Sequence, residues 1–193
     1  MADPARSASL AAAILAGGAA RRLGGVDKGL ALLQGRPLIA WVTAAIAPQV
    51  DGILILANRH ADEYARYGRV CADRRPGFRG PLEGIATALG ECRSEWLLTV
   101  PVDSPAPGAD LVRQLWQRRG DAAVVVAHDG LRRQPLFALY HCARVVPPGL
   151  DEDPQRPVWR WQDSYSCTEV DFSASAGRFA NLNTAQDFRD AAL

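Results

Sequence analysis

The chain has 193 residues, a formal net charge of +1, and 48% hydrophobic against 22% charged residues. That length suits one domain with a sizeable core, and the near-neutral balance gives no global field to recruit nucleic acid or an anionic membrane. Four scattered cysteines without a C-x-x-C pair exclude a zinc framework and a disulfide scaffold, and they fit a reducing compartment.

In chain order, the N-terminal stretch "MADPARSASLAAAILAGG" has one arginine and an apolar run too brief for a secretion signal. Cleavage near Ala13 would also destroy the first strand, so the expectation is a cytoplasmic chain without a membrane span. The run "AAAIL" (11–15) reads as a buried strand feeding a glycine-rich loop. "PLIAWVTAAIA" (37–47) opens with proline and places Leu38, Trp41, Val42 and Ala45 on one helical face. "GILILA" (52–57) predicts a second strand, "ADEYARYG" (61–68) a helix and "RVCAD" (69–73) a third strand. After the turn-rich "RRPGFRGPLEG" comes the helix "LEGIATALGECR" (82–93), then the strand "EWLLTV" (95–100) ending at "PVDSPAPG". The helix "ADLVRQLWQRRG" (109–120) and the strand "DAAVVVAH" (121–128) follow. Two further strands, "QPLFALY" (134–140) and "SCTEVDF" (166–172), precede a closing helix (184–193) capped by Thr184.

Alternating helices and continuous apolar strands predict an α/β fold of three layers. A mostly parallel sheet carries helices on both faces, with an antiparallel strand in the C-terminal half. Without repeats or linkers, residues 1–193 read as a single domain. Ligands of such sheets bind beyond the carboxyl ends of strands. The loop after the first strand and "PVDSP" both fall at such ends.

The loop itself, "LAGGAARRLGGVDKGL" (15–30), fits neither common phosphate loop. Lys28 is followed by Gly29 rather than a hydroxyl residue, and there is no G-x-G. What remains is strand, G-G-x-x-x-R-x-G-x-x-D-K, then helix. Gly17 and Gly18 let backbone amides approach an anion, Arg22 can fork onto phosphate oxygens, and Lys28 adds a mobile point charge. Two cations beside amide donors suit a triphosphate whose leaving pyrophosphate gains charge. Asp103, in a proline-bracketed turn after a buried strand, is a hard oxygen ligand suited to Mg²⁺. His60, His128 and His141 show no ligand spacing or triad arrangement and read as structural.

With "LQGRPLIAWV", "ANRH", "RGPLEG", "VPVDSP" and "ANLNT" in the same order, this loop resembles the signature of the molybdenum cofactor guanylyltransferases, which are MobA-like nucleotidyltransferases. The resemblance runs almost end to end. It implies a Rossmann-like nucleotidyltransferase domain that transfers GMP from GTP to molybdopterin with Mg²⁺. Molybdoenzymes or their insertion chaperones are further implied partners, and a monomer or weak oligomer is expected. It also implies catalytic roles for Lys28, Arg22 and Asp103, with Asp103 as the metal ligand. Nucleotide contacts fall on Leu15, Ala16, Gly17, Gly18, Lys28, Asp73 and Asp103. Asp73 would accept from guanine or ribose, against the alternative of a salt bridge to Arg74 or Arg75. Asn181 and Asn183 would line the acceptor side, against the alternative of turn residues capping the last helix. Trp159 and Trp161 either stack on a pterin or pack. Where the family tends to place Asn this chain has Leu56, which shifts base reading to Asn58 or backbone. That departure keeps open CTP or another phosphorylated acceptor; a non-catalytic nucleotide or cofactor carrier is a separate alternative, against which Lys28 and Asp103 both argue.

Overall fold

A computed structural model describes residues 8–17, 27–75, 77, 79–150, 153 and 156–191. Nine strands are present among them: β1 (Leu10–Leu15), β2 (Leu32–Leu33), β3 (Arg36–Pro37), β4 (Gly52–Leu56), β5 (Arg69–Cys71), β6 (Trp96–Pro101), β7 (Val124–His128), β8 (Arg133–His141) and β9 (Cys167–Asp171). The helices are α1 (Leu38–Ile46), α2 (Ala61–Tyr64), α3 (Pro81–Glu91), α4 (Leu111–Gln117), α5 (Val158–Gln162) and α6 (Ala185–Asp190).

Seven strands form one sheet in the order β5-β4-β1-β6-β8-β7-β9. Only β8 opposes the rest: it pairs antiparallel with β6 and β7, whereas the β1–β4, β1–β6, β4–β5 and β7–β9 pairs are parallel. The strands read as unbroken apolar runs because both faces are covered. Alternate residues part to opposite sides. Leu10, Ala12 and Ile14 of β1 join Ile39, Val42 and Ile46 of α1 and Leu111 and Leu115 of α4. Ala11 and Ala13 join Leu82, Ile85 and Ala88 of α3 and Val158 and Trp161 of α5. This is the three-layer architecture expected from the sequence.

Differences from the sequence reading are local. Residues 61–68 give one helical turn, α2, after which Gly68 passes against Ile53, where a Cβ would stand 2.8 Å from its carbonyl oxygen. The hairpin of β2 and β3 was not anticipated. It turns on Gln34 and Gly35, both at positive φ (51° and 76°), the geometry of the tight turn whose twist matches two antiparallel strands. Helix α5 and a 3-10 stretch, Ser173–Phe179, fill segments read as irregular. Among the described residues, no helix is long and apolar enough to cross a membrane.

The chain leaves β1 for β4 and β5 on one side, then returns through α3 to β6 on the other. The carboxyl ends of β1 and β6 therefore flank a point where the winding reverses, the place where such sheets open a crevice.

Candidate functional site

A cleft of about 430 Å³ opens there. Its floor is the continuation of the strand ladder: the Ala16 amide donates to the Leu56 carbonyl (3.0 Å), and the Val102 amide donates to the Leu15 carbonyl (3.1 Å). Leu15, Ala16 and Gly17 line it, with Lys28, Asp73, Asp103 and Asn181 around them. A Cβ on Gly17 would lie 3.7 Å from both the Asn58 amide and an Asp73 carboxylate oxygen, so glycine leaves that part of the floor bare. Gly80 (φ 84°) and Pro81 open α3 on the far wall, where a helix N-terminus presents free amides. Gly84 lets α3 press onto β1, since a Cβ would meet the Leu15 side chain at 3.3 Å.

Lys28 begins a 3-10 turn, Lys28–Leu30, whose cap is Asp27. Asp27 is buried and accepts from the Gly29 amide at 3.1 Å and from the Tyr64 hydroxyl at 2.5 Å. Burial, with Asp27 alongside, pushes the Tyr64 pKa up, so this hydroxyl remains a donor. Gly29 is required here because a Cβ would collide with the Tyr64 hydroxyl. The turn aims the Lys28 ammonium at Asp103 Oδ2 (2.7 Å) and Asn183 Oδ1 (2.6 Å). These two acceptors leave one of its three donor positions uncommitted. The second Asp103 oxygen, Oδ1, is buried without a hydrogen-bond partner among the described residues. Leaving a charged oxygen so placed costs roughly 1–3 kcal/mol or more, and a cation would offset that cost.

Behind Asp103, its carbonyl accepts from the Leu182 amide (2.9 Å), which ties residues 180–184 to the end of β6. Asn181 accepts from the buried Ser104 hydroxyl at 2.7 Å. Both asparagines therefore send their side chains to the site, and the cap of α6 is made by Thr184 with Asp187.

At the other end, Asp73 and Asn58 form a reciprocal pair. The Asn58 amide donates to Asp73 Oδ2 (2.6 Å), and the Asp73 backbone amide donates to Asn58 Oδ1 (2.8 Å). Burial holds the Asp73 carboxyl above its ordinary value, with Glu83 adding to the shift and Asn58 opposing it. The salt bridge considered between Asp73 and Arg74 or Arg75 is not formed. Both arginines turn to Glu83, which is buried in the first turn of α3, at 3.4 Å for Arg74 and 2.5 Å for Arg75. Arg74 also donates to the Pro148 carbonyl (2.8 Å), so this cluster fixes the loop that carries Asp73. Leu56 is buried with Leu82 and Ile85 in the layer beneath α3, and only its edge reaches the cleft.

The MobA-like NTP transferase domain family matches residues 12–165. The chain belongs to that family. It is 42% identical over 177 residues to the molybdenum cofactor guanylyltransferase of Vibrio parahaemolyticus, covering 90% of each chain. It is 40% identical over 185 residues to that of Shewanella sediminis, covering 93% of this chain and 94% of the other. Among solved structures, molybdopterin-guanine dinucleotide biosynthesis protein A from Archaeoglobus fulgidus superposes with a TM-score of 0.72 at 20% identity. That likeness covers 93% of this chain and 95% of that one.

In this MobA-like chain a second cleft, about 550 Å³, adjoins the first and shares Pro101, Leu136 and Asn181 with it. Because β8 runs against its neighbours, its first residues lie at the same edge as the ends of β1 and β6. Arg133, Gln134 and Leu136 line the second cleft for that reason. Trp159 also lines it and is 45% exposed, whereas Trp161 is 3% exposed and packs on Tyr140 and Tyr165. Trp161 is a core residue. The three histidines each lie beside a glutamate and line neither cleft. Gly18 and Arg22 lie outside the described residues. Sequence reasoning carries Asp27 only as part of the G-x-x-D-K spacing and assigns no role to Tyr64, Glu83 or Ser104. The signal for Asp27 was present in its position directly before Lys28.

Proposed function

We propose that this chain transfers GMP from GTP to the terminal phosphate of molybdopterin, yielding the guanine dinucleotide cofactor and pyrophosphate. The observation that carries this reading is the Lys28–Asp103 pair at the reversal point of the sheet, with an unpaired Asp103 oxygen beside it.

In the reaction an acceptor phosphate oxygen bonds to the α-phosphorus, and the bond from that phosphorus to the α–β bridging oxygen breaks. Phosphate monoesters have a second pKa near 6, so the nucleophile is already ionised at neutral pH and needs no general base. The work left to the protein is positioning and charge stabilisation. Lys28, held by Asn183, supplies positive charge where the triphosphate develops negative charge. The Gly17 amide and the N-terminus of α3 offer further donors along the floor and wall. From the sequence alone, Gly18 and Arg22 are assigned phosphate contacts as well.

Mg²⁺ fits the residues present. It prefers oxygen ligands, keeps several waters, and is commonly held by one or two carboxylates plus substrate phosphates. Asp103, with Oδ1 unpaired, is the residue that would hold it. When bound, the ion supplies neutralisation of phosphate charge.

For the base, Leu56 has no polar atom to offer. Asp73 is the acceptor able to take the paired N1–H and N2–H₂ donors of guanine, and Asn58 fixes its orientation. Cytosine presents one exocyclic donor and matches this carboxylate less well.

The test is incubation of the protein with Mg²⁺, molybdopterin and either GTP or CTP labelled at the α-phosphate. Labelled dinucleotide and pyrophosphate from GTP are expected. Product from CTP alone would move the base specificity, and absence of product with both nucleotides would overturn the reading.

A further inference from the structure

We infer that Trp159 binds the acceptor, its indole forming the platform on which the pterin ring stacks. This rests on the guanylyltransferase reading above, and four observations lead to it.

The two clefts are continuous through Pro101, Leu136 and Asn181. An acceptor whose phosphate sits at Lys28 and Asp103 therefore has its remaining body directed past Asn181 into the second cleft. Next, α5 carries two tryptophans with opposite fates. Val158 and Trp161 face the core, while Trp159 stays 45% exposed at the cleft although the helix is already anchored without it. Its indole, exposed at the cleft, offers a flat face on which a planar ring can stack. The cleft also mixes surfaces in the way a flat heterobicycle requires. Leu136 and the Trp159 ring offer apolar area, and Gln134 and Arg132 offer polar groups. Arg133 is committed to Asp163 and Glu169, but the Arg132 guanidinium has no hydrogen bond or ion pair among the described residues. Lastly, the Arg160 guanidinium lies 5.4 Å from the centre of the Trp159 ring, a cation–π contact that limits where the indole can turn.

Removing an aromatic platform under a stacked base weakens binding by about tenfold or more. The experiment compares wild type, Trp159→Ala and Trp159→Phe in two measurements. One is GMP transfer, giving separate KM values for molybdopterin and GTP. The other is calorimetric titration with molybdopterin, which needs no turnover. The expected result is a molybdopterin KM and Kd raised about tenfold or more in Trp159→Ala, largely restored in Trp159→Phe, with the GTP KM unchanged. A wild-type acceptor Kd in Trp159→Ala overturns the inference, and so does Trp159→Phe behaving like the alanine variant. Wild type that binds molybdopterin without transferring GMP defeats the functional reading alone, and the Kd comparison still decides the role of Trp159. Wild type that binds no molybdopterin removes both. Because Trp159 is exposed, circular dichroism of the alanine variant should match wild type.

Discussion

The two halves of the sheet reach the site in opposite ways. Strands β1, β4, β5 and β6 arrive by their carboxyl ends, and the residues just beyond them supply the nucleotide cleft. Strand β8 arrives by its amino end, and the second cleft is completed from α5 and the segment around Asn181. The first cleft gathers charged side chains and bare backbone from segments spread between residues 15 and 181. The second takes most of its lining from one contiguous stretch, 132–137, with Trp159 added from α5. A network assembled from distant segments fails when one charge is removed, whereas a lining carried mostly by one strand can be altered one residue at a time.

Five substitutions would break or sharpen that contrast. Lys28→Ala and Asp103→Ala should have the largest effect, a loss of transfer of roughly 10² or more, as for deletion of a preorganised electrostatic contact. Labelled dinucleotide formation measures it, and near wild-type turnover in both folded variants would remove the nucleotide cleft from the chemistry.

Asp73→Asn should raise the GTP KM about tenfold, the loss of a charge-assisted hydrogen bond, without altering the molybdopterin KM. Its effect on stability has the opposite sign. Burial raises the Asp73 pKa from the ordinary 3.8, so the folded chain binds that proton more tightly than the unfolded chain does. The stabilisation this group gives is fully present below 3.8 and is lost as pH rises through the folded value. At pH 7 the native carboxylate is therefore a liability. The variant should melt above wild type there and lose the advantage on acidification below the ordinary carboxylate range. A lower Tm at neutral pH would contradict this.

Tyr64→Phe removes one of two donors to buried Asp27. The expected cost is about 1 kcal/mol, a Tm lowered by about 2–4 °C for a chain of this size, accompanied by a slower transfer rate as the Lys28 turn loosens. Unchanged melting would mean that water replaces the hydroxyl. The smallest effect belongs to Arg132→Ala, on the other side of the contrast. As an exposed charge it should raise the molybdopterin KM by less than about fivefold, more at low salt than at high, and leave the GTP KM alone. A salt-independent change would place Arg132 in a desolvated contact.

Legibility in the sequence follows the same division. The β1 and β6 runs, the loop between 15 and 30, and Asp103 could be read because each lies on one unbroken stretch governed by one rule: apolar continuity, glycine access or a strand-end carboxylate. The Asn58–Asp73 pair, fifteen residues apart, carries no local pattern, and in the sequence the family resemblance is what marks Asp73. The direction in which Arg74 and Arg75 turn could not be read either, because Glu83 meets them only after α3 has folded back over the sheet. The β2–β3 hairpin was hidden by strands only two residues long, too short to show alternation. Helix α5 lacks a side-chain cap, and its two tryptophans flanking Arg160 read more readily as packing than as binding residues. One proved to be core, and the other faces the second cleft.

The Lys28–Asn183 contact spans 155 positions, and on a ribosome sequence separation becomes a delay. Asp103 is made eighty residues before Asn183; at ~5–20 residues per second that interval is about 4–16 s. During it the nascent chain possesses β1, β6, Lys28 and Asp103, yet lacks Asn183 and the Leu182 strap on the end of β6. A growing polypeptide could fold most of its sheet while Lys28 still had only one of its two acceptors. On the proposed reading, the Lys28 network is completed only by a late-translated segment, so half-made chains would be poor consumers of nucleotide.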